Sequence, residues 1–62
     1  MGAWFLAHYR LYFLDHTDHI RHAISLECDD DSQALALVEE HRDGRTLELW
    51  QGVRRVARLE AK

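Results

Sequence analysis

Residues 19–28 alternate without a break: Ile20, His22, Ile24, Leu26 and Cys28 fall on one side of an extended chain, and His19, Arg21, Ala23, Ser25 and Glu27 on the other. Neighbouring side chains of a strand point to opposite faces, whereas a helix repeats about every 3.6 residues. The stretch therefore commits the chain to a half-buried strand, which needs a backbone neighbour and a cover for its apolar side. Residues 9–14, Tyr-Arg-Leu-Tyr-Phe-Leu, supply the neighbour, being dense in aromatic and aliphatic side chains and lacking a helix cap. Tyr9, Leu11 and Phe13 share one face; Arg10, Tyr12 and Leu14 share the other. Asp15-His16-Thr17-Asp18 between the two strands reads as a turn, because Asp side chains bond nearby backbone and tolerate turn dihedrals. Residues 1–8 form a loose leader or extend the first strand.

Asp29-Asp30-Asp31-Ser32 opens a helix: side-chain oxygens there accept from unpaired first-turn amides, and negative charge suits the helix dipole. Ala34, Leu35, Leu37, Val38 and His41 follow at helical spacing, and Gly44 stands where a left-handed C-cap is expected. About three turns do not persist alone in water, so the helix must lie on the sheet. Residues 46–50 form a third strand and 53–59 a fourth, joined by Gln51-Gly52 as a two-residue turn. That turn pairs Trp50 with Val53, Glu48 with Arg55 and Leu47 with Val56. Val53, Val56 and Leu59 recur every third residue rather than every second, which calls for a bulge in the last strand. The expected fold is α+β, β-β-α-β-β: a four-stranded antiparallel sheet with one helix packed on one face. Its expected core is Tyr9, Leu11, Phe13, Ile24, Leu26, Leu37, Val38, Leu47 and Val56.

Sixty-two residues suffice for one small domain, residues 1–62. An apolar fraction of 47% with two Trp, two Tyr and two Phe excludes a disordered tail. The lone cysteine, Cys28, forms no internal disulfide, and the acidic run after it opposes thiolate formation. It reads as a small apolar residue at a strand end. The apolar run at residues 3–7 is too short for a secretory signal, and nothing approaches the roughly 20 apolar residues of a membrane span. A cytoplasmic protein without a membrane segment is expected.

Several constellations carry possible chemistry. His16, His19 and His22 recur every third residue, but His19 and His22 point to opposite faces of a strand, leaving His16 and His19 as a candidate transition-metal pair. His22 and His41 are candidates for a pH-sensitive contact across the core. The Asp29–Asp31 run lacks the Gly and Glu of a calcium loop and is explained by helix capping. Charge is split along the chain: two basic against eight acidic residues over 1–41 (−6), and six basic against three acidic over 42–62 (+3). Arg54, Arg55 and Arg58 beside Trp50 make a candidate nucleic-acid surface. Alternation divides them, however, with Arg54 and Arg58 on one face and Arg55 on the other unless the bulge realigns them, and the net charge of −3 disfavours that reading. No nucleophile motif or glycine-rich phosphate loop is present, so no catalytic residue and no cofactor is expected.

Taken together, Tyr9-Arg10-Leu11-Tyr12-Phe13-Leu14-Asp15 and Leu47-Glu48-Leu49-Trp50-Gln51-Gly52-Val53-Arg54-Arg55-Val56 resemble a group of very short, uncharacterised alphaproteobacterial proteins. That group carries a YRLYFLD-like start, an acidic start to an Ala-Leu helix, and an ELWQG-x-R-x-V ending. The resemblance spans residues 9–59 and implies a bacterial cytoplasmic protein; it transfers no site residues. One helix on one sheet leaves the other face open, with Trp4, Tyr12, Leu14 and Trp50 as large apolar candidates on it. These residues point to a homodimer, or another protein partner, engaged through a sheet face or edge. A non-catalytic interaction or regulatory module is the expected function.

Overall fold

The computed structural model describes residues 6–61. It contains β1 (Ala7–Leu14), β2 (Ile20–Cys28), α1 (Asp31–Glu40), β3 (Thr46–Gln51) and β4 (Arg54–Leu59). The strands form one antiparallel sheet in the order β2-β1-β3-β4, so the fold is the expected α+β arrangement. β2 and β3 both run antiparallel to β1, and therefore parallel to each other, and α1 connects them across it.

The inner face follows from β1. Tyr9, Leu11 and Phe13 are buried there, with Leu26, Ile24 and His22 directly opposite them on β2. On the other side Leu11 faces Leu49 and Phe13 faces Leu47, and those leucines face Ala57 and Leu59 of β4. α1 contributes Ala34 and Val38, and the last residue of β2, Cys28, closes the cluster with no exposed surface. Of the expected core, Tyr9, Leu11, Phe13, Val38 and Leu47 are buried, while Ile24, Leu26, Leu37 and Val56 are half-buried against it. Leu49, Ala34 and Cys28 complete it. Burial holds the Cys28 thiol above its ordinary value, helped by the fields of Asp29 and Asp30.

The helix ends are built differently from each other. Asp30 is the N-cap and accepts from the Gln33 amide at 2.9 Å, while the Gln33 side-chain oxygen accepts from the Asp29 amide at 2.8 Å. The two bonds satisfy two exposed donors in the manner of a capping box, with the return bond made to the residue before the cap. At the other end His41, not Gly44, caps the helix: its amide and its ring Nδ1 both donate to the Leu37 carbonyl. Gly44 does adopt a positive φ of +93°, but in the loop leading to β3.

The second hairpin departs from the expected register. Its turn is Gly52-Val53, with Gln51 opposite Arg54 and Trp50 opposite Arg55. Gly52 has φ +62° and takes the first central position, where a mirror-type two-residue turn requires positive φ and so favours glycine. The bulge is present and falls at Val56, which has no partner between Arg55 and Ala57. Glu48 therefore faces Arg58 and Leu47 faces Leu59, in place of Arg55 and Val56.

A second bulge, at Arg21, interrupts the alternation of β2. Phe13 pairs with His22 while Leu14 pairs with Ile20, and Arg21 is left over. One extra residue inverts the facing of everything before it. Ile20 consequently leaves the inner set and lies opposite Leu14, 57% exposed.

Candidate interaction surface

The sheet face away from α1 is built from Arg10, Tyr12 and Leu14 of β1, their β2 partners Ser25, Ala23 and Ile20, and their β3 partners Trp50, Glu48 and Thr46. β4 adds Arg55 and Arg58 opposite Trp50 and Glu48. The Val56 bulge brings these two arginines to one face, and Arg54 turns to the other side. The three arginines are thus divided as Arg55 with Arg58, and Arg54 apart.

Glu48 is the centre of this face. Its carboxylate accepts from the Trp50 indole Nε1 at 3.0 Å and from Arg55 Nη1 at 3.4 Å, and pairs closely with Arg58. The indole N–H, then the neighbouring guanidinium groups, hold its carboxyl below the usual carboxylate range. Arg58 reaches further, to Glu60 at 2.6 Å and to Asp18 in the β1–β2 turn at 3.1 Å. Those carboxylates raise the Arg58 pKa, Glu60 most and then Asp18 and Glu48. Arg54 binds Asp31 at 3.1 Å, beside the Tyr9 hydroxyl. Each of the three arginines offered as phosphate contacts is thus engaged by a carboxylate of its own chain, which leaves less positive potential for a phosphate backbone.

The large apolar residues divide in the same way. Tyr12 and Trp50 are half-buried on the outer face, and with Ile20, Glu48, Gly52 and Val53 they line a shallow depression of about 360 Å³. Val53, at the hairpin turn, is 96% exposed. Leu14 is on this face but adds little to its exposed surface: flanked by Ile20 and Thr46, it is 5% exposed and is a packing residue. Trp4 lies outside the described residues. Ile20 and Val53 were absent from the sequence-based set because their exposure depends on the Arg21 bulge and on the placement of the turn, neither of which is encoded in alternation.

His19, His22 and His41 each have a different partner. His19 Nδ1 lies 2.8 Å from the Thr17 hydroxyl, and the Asp15 carboxylate accepts from the Thr17 hydroxyl, the Thr17 amide and the His19 amide. His16 is exposed beside a different depression, with Leu14, Asp15 and Arg45. Among the described residues no group of three or more His, Cys, Asp and Glu side chains is placed to hold a metal ion. His22 stacks at a tilt on Phe13, with ring centroids 5.5 Å apart, and His41 is spent on the helix cap.

The two sheet edges differ. β4 carries Arg54, Arg55 and Arg58 and is bent by a bulge, and charge and bulges both discourage strand addition. β2 is the longest strand, its residues 22–26 are His-Ala-Ile-Ser-Leu, and among the described residues β1 is its one strand neighbour. Most of its residues are exposed; Ile24 and Leu26 are half-buried. Among the described residues no helix is long and apolar enough to cross a membrane. No family model, no curated protein and no solved structure matches this chain.

Proposed function

We propose that this protein is a non-catalytic, self-associating interaction module of the bacterial cytoplasm, grouped with the short alphaproteobacterial proteins its sequence resembles. The observation that carries the reading is β2: the longest strand of the sheet stands at its edge with exposed side chains and, among the described residues, no second strand neighbour. Such an edge presents a row of unpaired backbone donors and acceptors, and pairing them with another strand is the common way to satisfy them. The outer-face set of Tyr12, Ile20, Trp50 and Val53 supports the interaction-module part of the reading, since aromatic and aliphatic groups exposed on a sheet face suit contact with another protein. The two segments that carry the resemblance also fall on β1 and on the β3–β4 hairpin, which are adjacent in the sheet.

Light scattering over a range of protein concentrations tests the proposal. The expected result is a mass twice that of one chain, retained in high salt because strand pairing is not a screened charge effect. A mass of one chain at every concentration overturns it.

A further inference from the structure

From the β2 edge we infer that two copies join antiparallel through β2, with Ser25 on the two-fold axis, to make one continuous eight-stranded sheet. The inference rests on the self-association proposed above and gives it a geometry. Three observations select this edge and this register.

The outer face is poorly suited to packing against its copy. Its middle is the Glu48 carboxylate with Arg55 and Arg58, and face-to-face contact would strip water from those charges. The β4 edge is closed by three arginines and the Val56 bulge. Pairing β2 with β4 of a neighbour would also be head-to-tail, which gives rings or open filaments rather than a two-fold dimer.

The regular part of β2 runs over residues 22–28, between the Arg21 bulge and the strand's end. Ser25 is its midpoint. A two-fold axis there pairs the whole stretch and sets Ile24 opposite Leu26 of the second copy, twice, on the inner face. These two residues are the half-buried apolar side chains of the edge, so the register covers what the single chain leaves partly open. At the axis itself stand two small, exposed serines.

Charge agrees with the antiparallel sense. β2 is basic before its regular stretch, at Arg21, and acidic at and after its end, at Glu27, Asp29 and Asp30. Self-pairing about Ser25 places Arg21 of each copy opposite Asp29 of the other. Within one chain Arg21 has a loose 3.8 Å contact with Asp15, which leaves it able to serve both.

The test uses the residue that pairs with itself. Ser25→Glu puts two carboxylates face to face across the axis, and Ser25→Lys puts two ammonium groups there. Ser25 lies opposite Arg10 in β1, so Ser25→Glu gains a cross-strand partner in the single chain and keeps the fold. Sedentary like charges across a strand pair weaken it, so each variant alone should raise the dimer dissociation constant about fivefold. An equimolar mixture of the two should recover wild-type association as a heterodimer, with Glu opposite Lys. Circular dichroism checks that both variants are folded. A wild-type dimer unaffected by either substitution, or a mixture no tighter than the variants alone, overturns the β2 register while self-association stands. A wild type that is monomeric throughout overturns both.

Discussion

The Tyr9 hydroxyl donates a 2.6 Å hydrogen bond to Asp31, the first residue of α1, across 22 positions of sequence. Arg54 of β4 closes on the same carboxylate at 3.1 Å, so the joint ties the second strand in the sheet, the helix and the far edge strand together. The bond to Asp31 and burial push the Tyr9 phenol up to about 12 from its ordinary 10.0. A folded-state pKa raised above the unfolded one gives stability that is present below the unfolded value and lost as pH rises through the folded value. Stability should therefore decline between about pH 10 and 12, and Tyr9→Phe should remove that part of the decline. Phenolate absorbance checks it directly: the wild-type minus Tyr9→Phe difference should titrate near 12, and should move down towards 10 in Asp31→Ala.

The acid limb has a different origin. Asp15 is held well below the usual carboxylate range, most by the Thr17 hydroxyl and next by the His19 amide. Asp31 is depressed as well, by Arg54 first and then by Tyr9. Lowered folded-state values give stability that is present above the ordinary carboxylate pKa and lost as pH falls through the folded value. Denaturant midpoints should therefore fall steadily below about pH 4, and the slope should be shallower in Asp15→Asn. An unchanged slope would remove the β1–β2 turn from the account.

The β3–β4 turn separates backbone from side-chain effects. Gly52→Ala forces an L residue into positive φ with no neighbour within 4 Å of the added carbon, so its cost is conformational. It should destabilise by about 1 kcal/mol. Val53→Thr next to it, at a 96% exposed position, should stay within about 0.5 kcal/mol of wild type. Urea unfolding of the two variants distinguishes this from a turn centred on Gln51-Gly52, in which Val53 would be a paired strand residue.

Leu49 reports on the core. It has no exposed surface and sits between Leu11 on β1 and Ala57 on β4. Leu49→Ala should cost about 2–5 kcal/mol, the transfer of the lost methyl groups plus the cavity left behind. Thermal or urea unfolding monitored by tryptophan fluorescence measures it. A loss near zero would mean that the inner face is not packed around β3.

Much of the architecture was legible locally. Aromatic density at residues 9–14, alternation after residue 19, and acids before an Ala-Leu repeat give β1, β2 and α1 their places and order, because each pattern reflects the period of its own element. Alternation within β1 likewise separated Tyr9, Leu11 and Phe13 from Tyr12. The three-residue spacing of Val53, Val56 and Leu59 announced a bulge in β4. The candidate surface was legible in part: Tyr12 and Trp50 lie on the outer face, whereas Leu14 is buried and Ile20 and Val53 take its place among the exposed apolar groups.

What the chain's own order of residues determined, then, is which segments are strands, which is helix, and which side of β1 is apolar. The tertiary structure alone decided the β2-β1-β3-β4 order, the extra residue at Arg21, the exposure of Ile20 and the gathering of Arg55 and Arg58 on Glu48. The physical reason is that a strand's period is a property of its own backbone, while its register is settled against its neighbours. A single unpaired residue, placed where packing on the adjacent strand requires it, reverses the facing of every side chain beyond it.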